Sequence, residues 1–93
     1  MPLFAISCKD KPGALETRLA IRPVHLDYLR ESKILKLAGA LLGEDGNPIG
    51  SLLIVEADDI AAAQAQADND PYTAADIFES VEINPWRLAV GSL

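Results

Sequence analysis

One histidine, His25, occurs in the 93 residues, so one side chain has an ordinary pKa near neutrality. An imidazole there can take a proton from a small organic substrate and return it, the work of a general base and acid. The commoner reading from spacing alone is a half-buried helix histidine bonded to a nearby carbonyl. Asp70 precedes Pro71, and Asp-Pro ordinarily starts a helical turn, with the carboxylate capping and proline in first position. Such a carboxylate can still orient a second group, because one oxygen takes a backbone N–H and the other remains free. Ser51, beside Gly50 in an apolar run, reads as a small packing residue or as a hydroxyl aimed into a cleft. It lacks the strand–turn–helix setting of a hydrolase nucleophile. Arg22 can grip a substrate carboxylate with two parallel N–H bonds, or remain a solvated helix arginine. Tyr72, Phe4 and Trp86 are candidate pocket walls, and aromatics at such places serve more often as core.

Other chemistries find little support. Cys8 is the single cysteine, which excludes an internal disulfide, and no Cys/His spacing suits zinc. A metal held by His25 and Asp70 would want a third ligand, so no metal and no cofactor are expected. The loop from Gly43 to Gly50 lacks the Lys-Ser/Thr of a phosphate loop and the dinucleotide spacing. The net charge of -6 argues against a nucleic-acid surface and against anionic lipid. The charge is uneven. Residues 1–36 hold seven of the eight Lys and Arg against four acids, a balance of +3, and the remainder holds Arg87 against ten acids, a balance of -9. A cationic first half can attract a small anion, although solvated helix faces are the plainer account. No apolar stretch approaches the roughly 20 residues needed to cross a bilayer, and the first residues carry no basic leader. The expected compartment is the cytoplasm.

Side chains that could do chemistry need elements to hold them. The length suits a single domain over residues 1–93. Leu3–Cys8 reads as a strand, nearly apolar on both faces and therefore central and covered on both sides. Asp10-Lys11-Pro12-Gly13 breaks it. A helical pattern runs from Ala14 to Lys33 with Pro23 inside, which predicts two short helices or one kinked helix, turning close to His25. Residues 34–42 and 49–55 are two apolar strands joined by a turn-rich hairpin loop. Gly39 and Gly50 fall inside them, where a missing side chain marks a bulge or a close approach. Asp58 or Asp59 caps an alanine-rich helix through Ile60–Ala67. A short segment then leads to Phe78 and a last strand with alternating Val81 and Ile83.

This order, β, α, β, β, α, β, predicts an α+β ferredoxin-like sandwich: a four-stranded antiparallel sheet with both helices on one face. The other face would carry part of Leu3, Ala5, Leu35, Leu37, Leu41, Leu53 and Val55, with no element left to cover it. Apolar burial is worth about 25 cal/mol per Å², and monomers rarely leave hundreds of Å² wet. A homodimer packed sheet to sheet is the expected answer.

The runs Asp10-Lys11-Pro12-Gly13-Ala14-Leu15 and Arg22-Pro23-Val24-His25-Leu26, with Tyr28-Leu29, resemble the YciI-like (YCII-related) family. So do Ala38-Gly39-Ala40-Leu41-Leu42, Gly50-Ser51-Leu52-Leu53-Ile54, Asp70-Pro71-Tyr72 and Val81-Glu82-Ile83-Asn84-Pro85-Trp86. The chain departs from the family's usual Gly-Pro-Leu at Gly39-Ala40-Leu41. The resemblance implies a dimeric α+β barrel and a site built on a His–Asp pair, which falls on His25 and Asp70. With it comes the expectation of a small dimeric enzyme doing cofactor-free acid/base chemistry, of isomerase or lyase type, on a small organic acid. His25 would be the acid/base and Asp70 its orienter, with Arg22, Ser51 and Tyr72 shaping a substrate pocket. The alternative is a non-catalytic dimeric domain that holds a metabolite or supports a partner enzyme.

Overall fold

A computed structural model describes residues 2–93. Strand β1 (Leu3–Asp10) is followed by helix α1 (Leu15–Glu31), strands β2 (Leu35–Leu42) and β3 (Pro48–Glu56), helices α2 (Ile60–Asp68) and α3 (Pro71–Ala74), and strand β4 (Phe78–Trp86). The sheet order is β2-β3-β1-β4 with every neighbouring pair antiparallel. This is the ferredoxin-like arrangement. No helix among the described residues is long and apolar enough to cross a membrane.

Local chemistry sets most of the boundaries. Gly13 takes a φ of 77° after Pro12 and turns the chain from β1 into α1. The Asp45 carboxylate accepts the Asn47 N–H at 3.0 Å, and Gly46 sits at a φ of 83°, which closes the β2–β3 hairpin. Asp59 caps α2 by accepting the Ala62 N–H at 3.0 Å. Asp70 caps α3 in the same way through the Tyr72 N–H, with Pro71 at the first helical position. The helical turn read from Asp-Pro is thus formed, as a helix of four residues.

Of the two arrangements expected at Pro23, two short helices or one kinked helix, the first does not form. α1 runs as one helix through Pro23 and His25. Proline withholds one N–H from the Leu19 carbonyl, but Pro23 lies on the exposed side of the helix, where water can satisfy that oxygen.

The core lies between the helices and one sheet face. Phe4, Ile6 and Cys8 of β1, Leu53 and Val55 of β3, Leu29 of α1, and Ala63 and Ala67 of α2 form it. β1 is central as expected, but within the chain only this face is covered; Ser7 and Lys9 are exposed on the other. Three residues expected on the open face belong to the covered one: Leu35, Leu53 and Val55. The pairing register explains why. Leu35 opposes Val55, while Leu37 already opposes Ile54, so a bulge at Lys36 turns Leu35 and Leu37 to opposite faces. Simple alternation cannot foresee that extra residue. Leu53 and Val55 follow their β1 partners Ile6 and Phe4 inward. Leu37, Leu41 and Leu52 stay on the open face, each about 40% exposed (41%, 39% and 38%).

Of the two strand glycines, Gly50 meets a close approach and Gly39 does not. A Cβ on Gly50 would collide with the Cys8 carbonyl oxygen across the β1–β3 pairing, whereas one on Gly39 would meet nothing. Gly50→Ala is therefore expected to destabilise the fold by about 1–3 kcal/mol, as overpacking does. Gly39→Ala should stay within about 0.5 kcal/mol of the parent. Urea unfolding of the two variants side by side checks this; equal midpoints would refute it.

Candidate functional site

Helical periodicity places Arg18, His25 and Leu29 on one face of α1, and these are its buried residues. That face turns toward the sheet without closing on it, because the helix packs chiefly against α3. Opposite it, β2 and β3 present small side chains: Ala38, Ala40 and Ser51. The space left between them is a cleft of about 410 Å³. A helix resting on small residues leaves a slot where larger ones would have filled the core.

His25 and Asp70 meet in this cleft region. His25 Nδ1 lies 2.9 Å from Asp70 Oδ1, and both side chains are buried. The same oxygen accepts the Tyr72 N–H at 2.8 Å. The expectation that the carboxylate would divide these two tasks between its oxygens is therefore corrected: Oδ1 performs both. An ionised carboxylate only accepts, so with Asp70 ionised Nδ1 carries the hydrogen, and an imidazole that is neutral then has its lone pair at Nε2. Nε2 makes no hydrogen bond among the described residues, and it is not a sealed, unsatisfied atom. His25 lines the cleft. The Tyr72 ring stacks on the imidazole, with centroids 3.7 Å apart and planes 12° from parallel, and Phe78 meets Tyr72 edge-on at 6.1 Å. The ring is thus gripped by a hydrogen bond at one nitrogen and an aromatic face.

Ser51 is buried at the cleft floor and Tyr72 forms its wall. Arg22 stands exposed at the rim, without a salt bridge among the described residues. Phe4 belongs to the core, and Trp86 ends β4; neither lines the cleft.

Two functional candidates escaped the sequence reading, Arg18 and Asp10. Arg18 is only 4% exposed. Its Nη1 donates to both Asp10 oxygens at 2.9 and 3.0 Å, and its Nη2 donates to Ser51 Oγ at 2.7 Å. Its guanidinium carbon lies 4.7 Å from the Tyr72 ring centroid. A signal was present: Arg18 precedes His25 by seven residues, two helical turns, so whatever buries one tends to bury the other. Asp10 looked like a turn residue because it ends β1 next to Pro12-Gly13.

These charges shape their neighbours. The Cys8 thiol is pushed up to about 12, first by burial and then by the negative charges of Asp70 and Asp10, with Arg18 opposing. Burial also raises the Tyr72 phenol, while Arg18 and Arg22 pull it back in part.

Residues 2–87 match the family model of the YCII-related domain. Protein YciI of Escherichia coli is 38% identical over 91% of this chain and 96% of its own length. Among solved structures, 5-chloro-2-hydroxyhydroquinone dehydrochlorinase (TftG) of Burkholderia phenoliruptrix, in complex with 2,5-dihydroxybenzoquinone, superposes with a TM-score of 0.85. It is 33% identical and the match covers 94% of this chain and 95% of that one. An antibiotic biosynthesis monooxygenase, at 14% identity and a TM-score of 0.59 over 97% and 100% of the two chains, shares the fold.

Two outcomes follow from the buried charges. Arg18→Ala strands Asp10 without its partner and is expected to cost about 3–5 kcal/mol, most of it recovered when Asp10→Leu accompanies Arg18→Met. Denaturant midpoints of the single and double variants measure this, and a single variant as stable as the parent would refute it. Cys8, held as a thiol far above neutral pH, should react with a disulfide reagent at pH 8 only after denaturation. Rapid labelling of the native protein would contradict that.

Proposed function

Because this chain belongs to the YCII-related domain family, we propose that it is a small enzyme transferring protons, without a cofactor, on a small cyclic organic acid. The observation that carries this reading is the buried His25–Asp70 contact in a residue that lines the cleft, with Nε2 making no hydrogen bond among the described residues. In the reaction, Nε2 takes a proton from the substrate and later returns it. Asp70 keeps the ring in the one tautomer that leaves this lone pair available, and it stabilises the imidazolium while the proton is held. Tyr72 fixes the ring plane by stacking, which spares the imidazole a search among rotamers. Arg22, exposed at the rim and without a salt bridge among the described residues, draws in an anionic substrate.

A ring-shaped acid suits the slot. A volume of about 410 Å³ is at the small end of ligand pockets. The similar dehydrochlorinase was crystallised with a flat ring bearing acidic oxygens. An elimination or an isomerisation on such a ring begins with the same event, removal of a proton beside a conjugated oxygen.

We further propose that two copies associate through the open sheet face. Leu37, Leu41 and Leu52 line up there across the β2–β3 pairing, beside Ala5 and Ile54. Covering them contributes about 25 cal/mol per Å². Light scattering at micromolar concentration is expected to give twice the chain mass, and Leu52→Glu to shift it toward one chain. A parent protein that stays monomeric refutes this association.

The catalytic reading is tested with 5-chloro-2-hydroxyhydroquinone, followed by chloride release. His25→Gln should lose about 10²-fold or more in rate, and Asp70→Asn about 10²–10⁴-fold. His25→Gln working at the parental rate would overturn the reading. Rings that bind without reacting would instead favour a domain that only holds a metabolite.

A further inference from the structure

Strand β2 forms one edge of the sheet, and seven of its eight residues are exposed. An edge strand carries a row of unpaired backbone groups, which proteins ordinarily blunt with charge, proline or a covering element. The other edge is blunted in this way, since β4 holds Glu79, Glu82 and Pro85. β2 is not. From Leu37 to Leu42 it has neither a charge nor a proline, and Lys36 at its start is tied to Glu56 of its own chain at 3.4 Å. Two hydrogen bonds fix which backbone groups point outward. The Ala57 N–H donates to the Pro2 carbonyl on the β1 side of β3, and the Glu56 N–H to the Ile34 carbonyl on the β2 side. Successive residues of a strand turn their N–H and C=O to opposite sides. Hence Ile54, Leu52 and Gly50 bond toward β2, where their partners are Leu37, Gly39 and Leu41. Ala38 and Ala40, between those partners, direct both backbone groups away from the sheet. The stretch is also symmetrical: Leu37-Ala38-Gly39-Ala40-Leu41 reads the same in both directions.

We propose that β2 pairs antiparallel with β2 of a second copy, about a two-fold axis at Gly39. Ala38 of each copy then exchanges both N–H···O=C bonds with Ala40 of the other, so the outward groups of both alanines are satisfied. Gly39 meets its own copy at the axis, where opposed Cα atoms approach to about 4.5 Å. Leu37 lies across from Leu41 on the open face. Charge selects this edge, because uncharged strands meet without repulsion, whereas pairing β4 with itself would bring its acids together. Residues opposed across an antiparallel ladder share a face, so both clefts open on the same side of the joined sheet. Ala38 and Ala40 line the cleft, and the second copy's alanines continue that floor of small residues. The contact uses the strand's edge and is separate from the association through the open face. So short a ladder buries less than the roughly 1,200 Å² of a stable interface, and it forms at high concentration.

The test reads backbone amide exchange by NMR together with sedimentation mass, at micromolar and at near-millimolar concentration. It is run on Leu52→Glu, which removes the open-face contact, and on the parent should that variant not fold. Raising the concentration is expected to move the mass of Leu52→Glu from one chain toward two. Exchange at Ala38 and Ala40 should slow by about threefold or more, while the outward amides of β4 stay unchanged. Ala40→Pro removes an outward N–H that β3 does not use, so it should keep its fold and abolish both effects. Ala38→Pro makes the same cut and serves if proline at position 40 unfolds the protein. Exchange at Ala38 and Ala40 that is equally fast at both concentrations overturns the proposal, whatever the mass does. Slowing that survives in a folded proline variant overturns it as well, and slowing along β4 would place the contact at the other edge. Because the amide readout is confined to one edge, it fails or succeeds separately from the open-face association.

Discussion

One oxygen atom, Oδ1 of Asp70, stands at the junction of fold and site. It accepts the Tyr72 N–H and so starts the short helix α3; it also accepts from His25 Nδ1, which fixes an imidazole delivered by a different element. Tyr72, oriented by the first bond, presents its ring to the imidazole oriented by the second. Two side chains, His25 and Tyr72, are thus set by one acceptor, with His25 lying 45 residues from Asp70 in the chain. Burial makes the arrangement stringent, because a carboxylate deprived of donors inside the protein is costly.

A second polar chain, Asp10–Arg18–Ser51, runs close by and shares Tyr72 as a neighbour through the guanidinium. Its charges are matched within the chain, so the interior holds Arg18 without a bound anion. Arg22, exposed at the cleft rim, makes no salt bridge among the described residues.

The cleft exists because α1 does not settle onto β2. Ala38 and Ala40 give the helix little to pack against, and Leu29 is the large apolar side chain of α1 that joins the main core. The stability of the domain is carried instead by the half of the sheet beneath α2, through Phe4, Ile6, Val55, Ala63 and Ala67. The cleft occupies the loosely packed half and the tight core occupies the other. The same sheet presents leucines on its far face, so the domain's apolar surface exceeds what its own helices cover.

How much of this could be read from residues alone depends on whether the governing interaction is local. Helix caps at Asp59 and Asp70, the hairpin turn at Asp45–Asn47 and the order of the strands follow from neighbours in the chain, and the sequence determined them. The likeness of its motifs to the YCII-related family pointed to His25 with Asp70, and the structure brings that pair together. Only the tertiary structure decided that Lys36 bulges and turns Leu35 inward, that Leu53 and Val55 follow Ile6 and Phe4, and that α1 passes Pro23 unbroken. It alone revealed Arg18 buried against Asp10 and Ser51, partners 8 and 33 residues distant. A lone arginine in a helix pattern looks solvated until the strands that neutralise it are in place. Its burial is a property of the assembled charges, and no single stretch of the chain contains them.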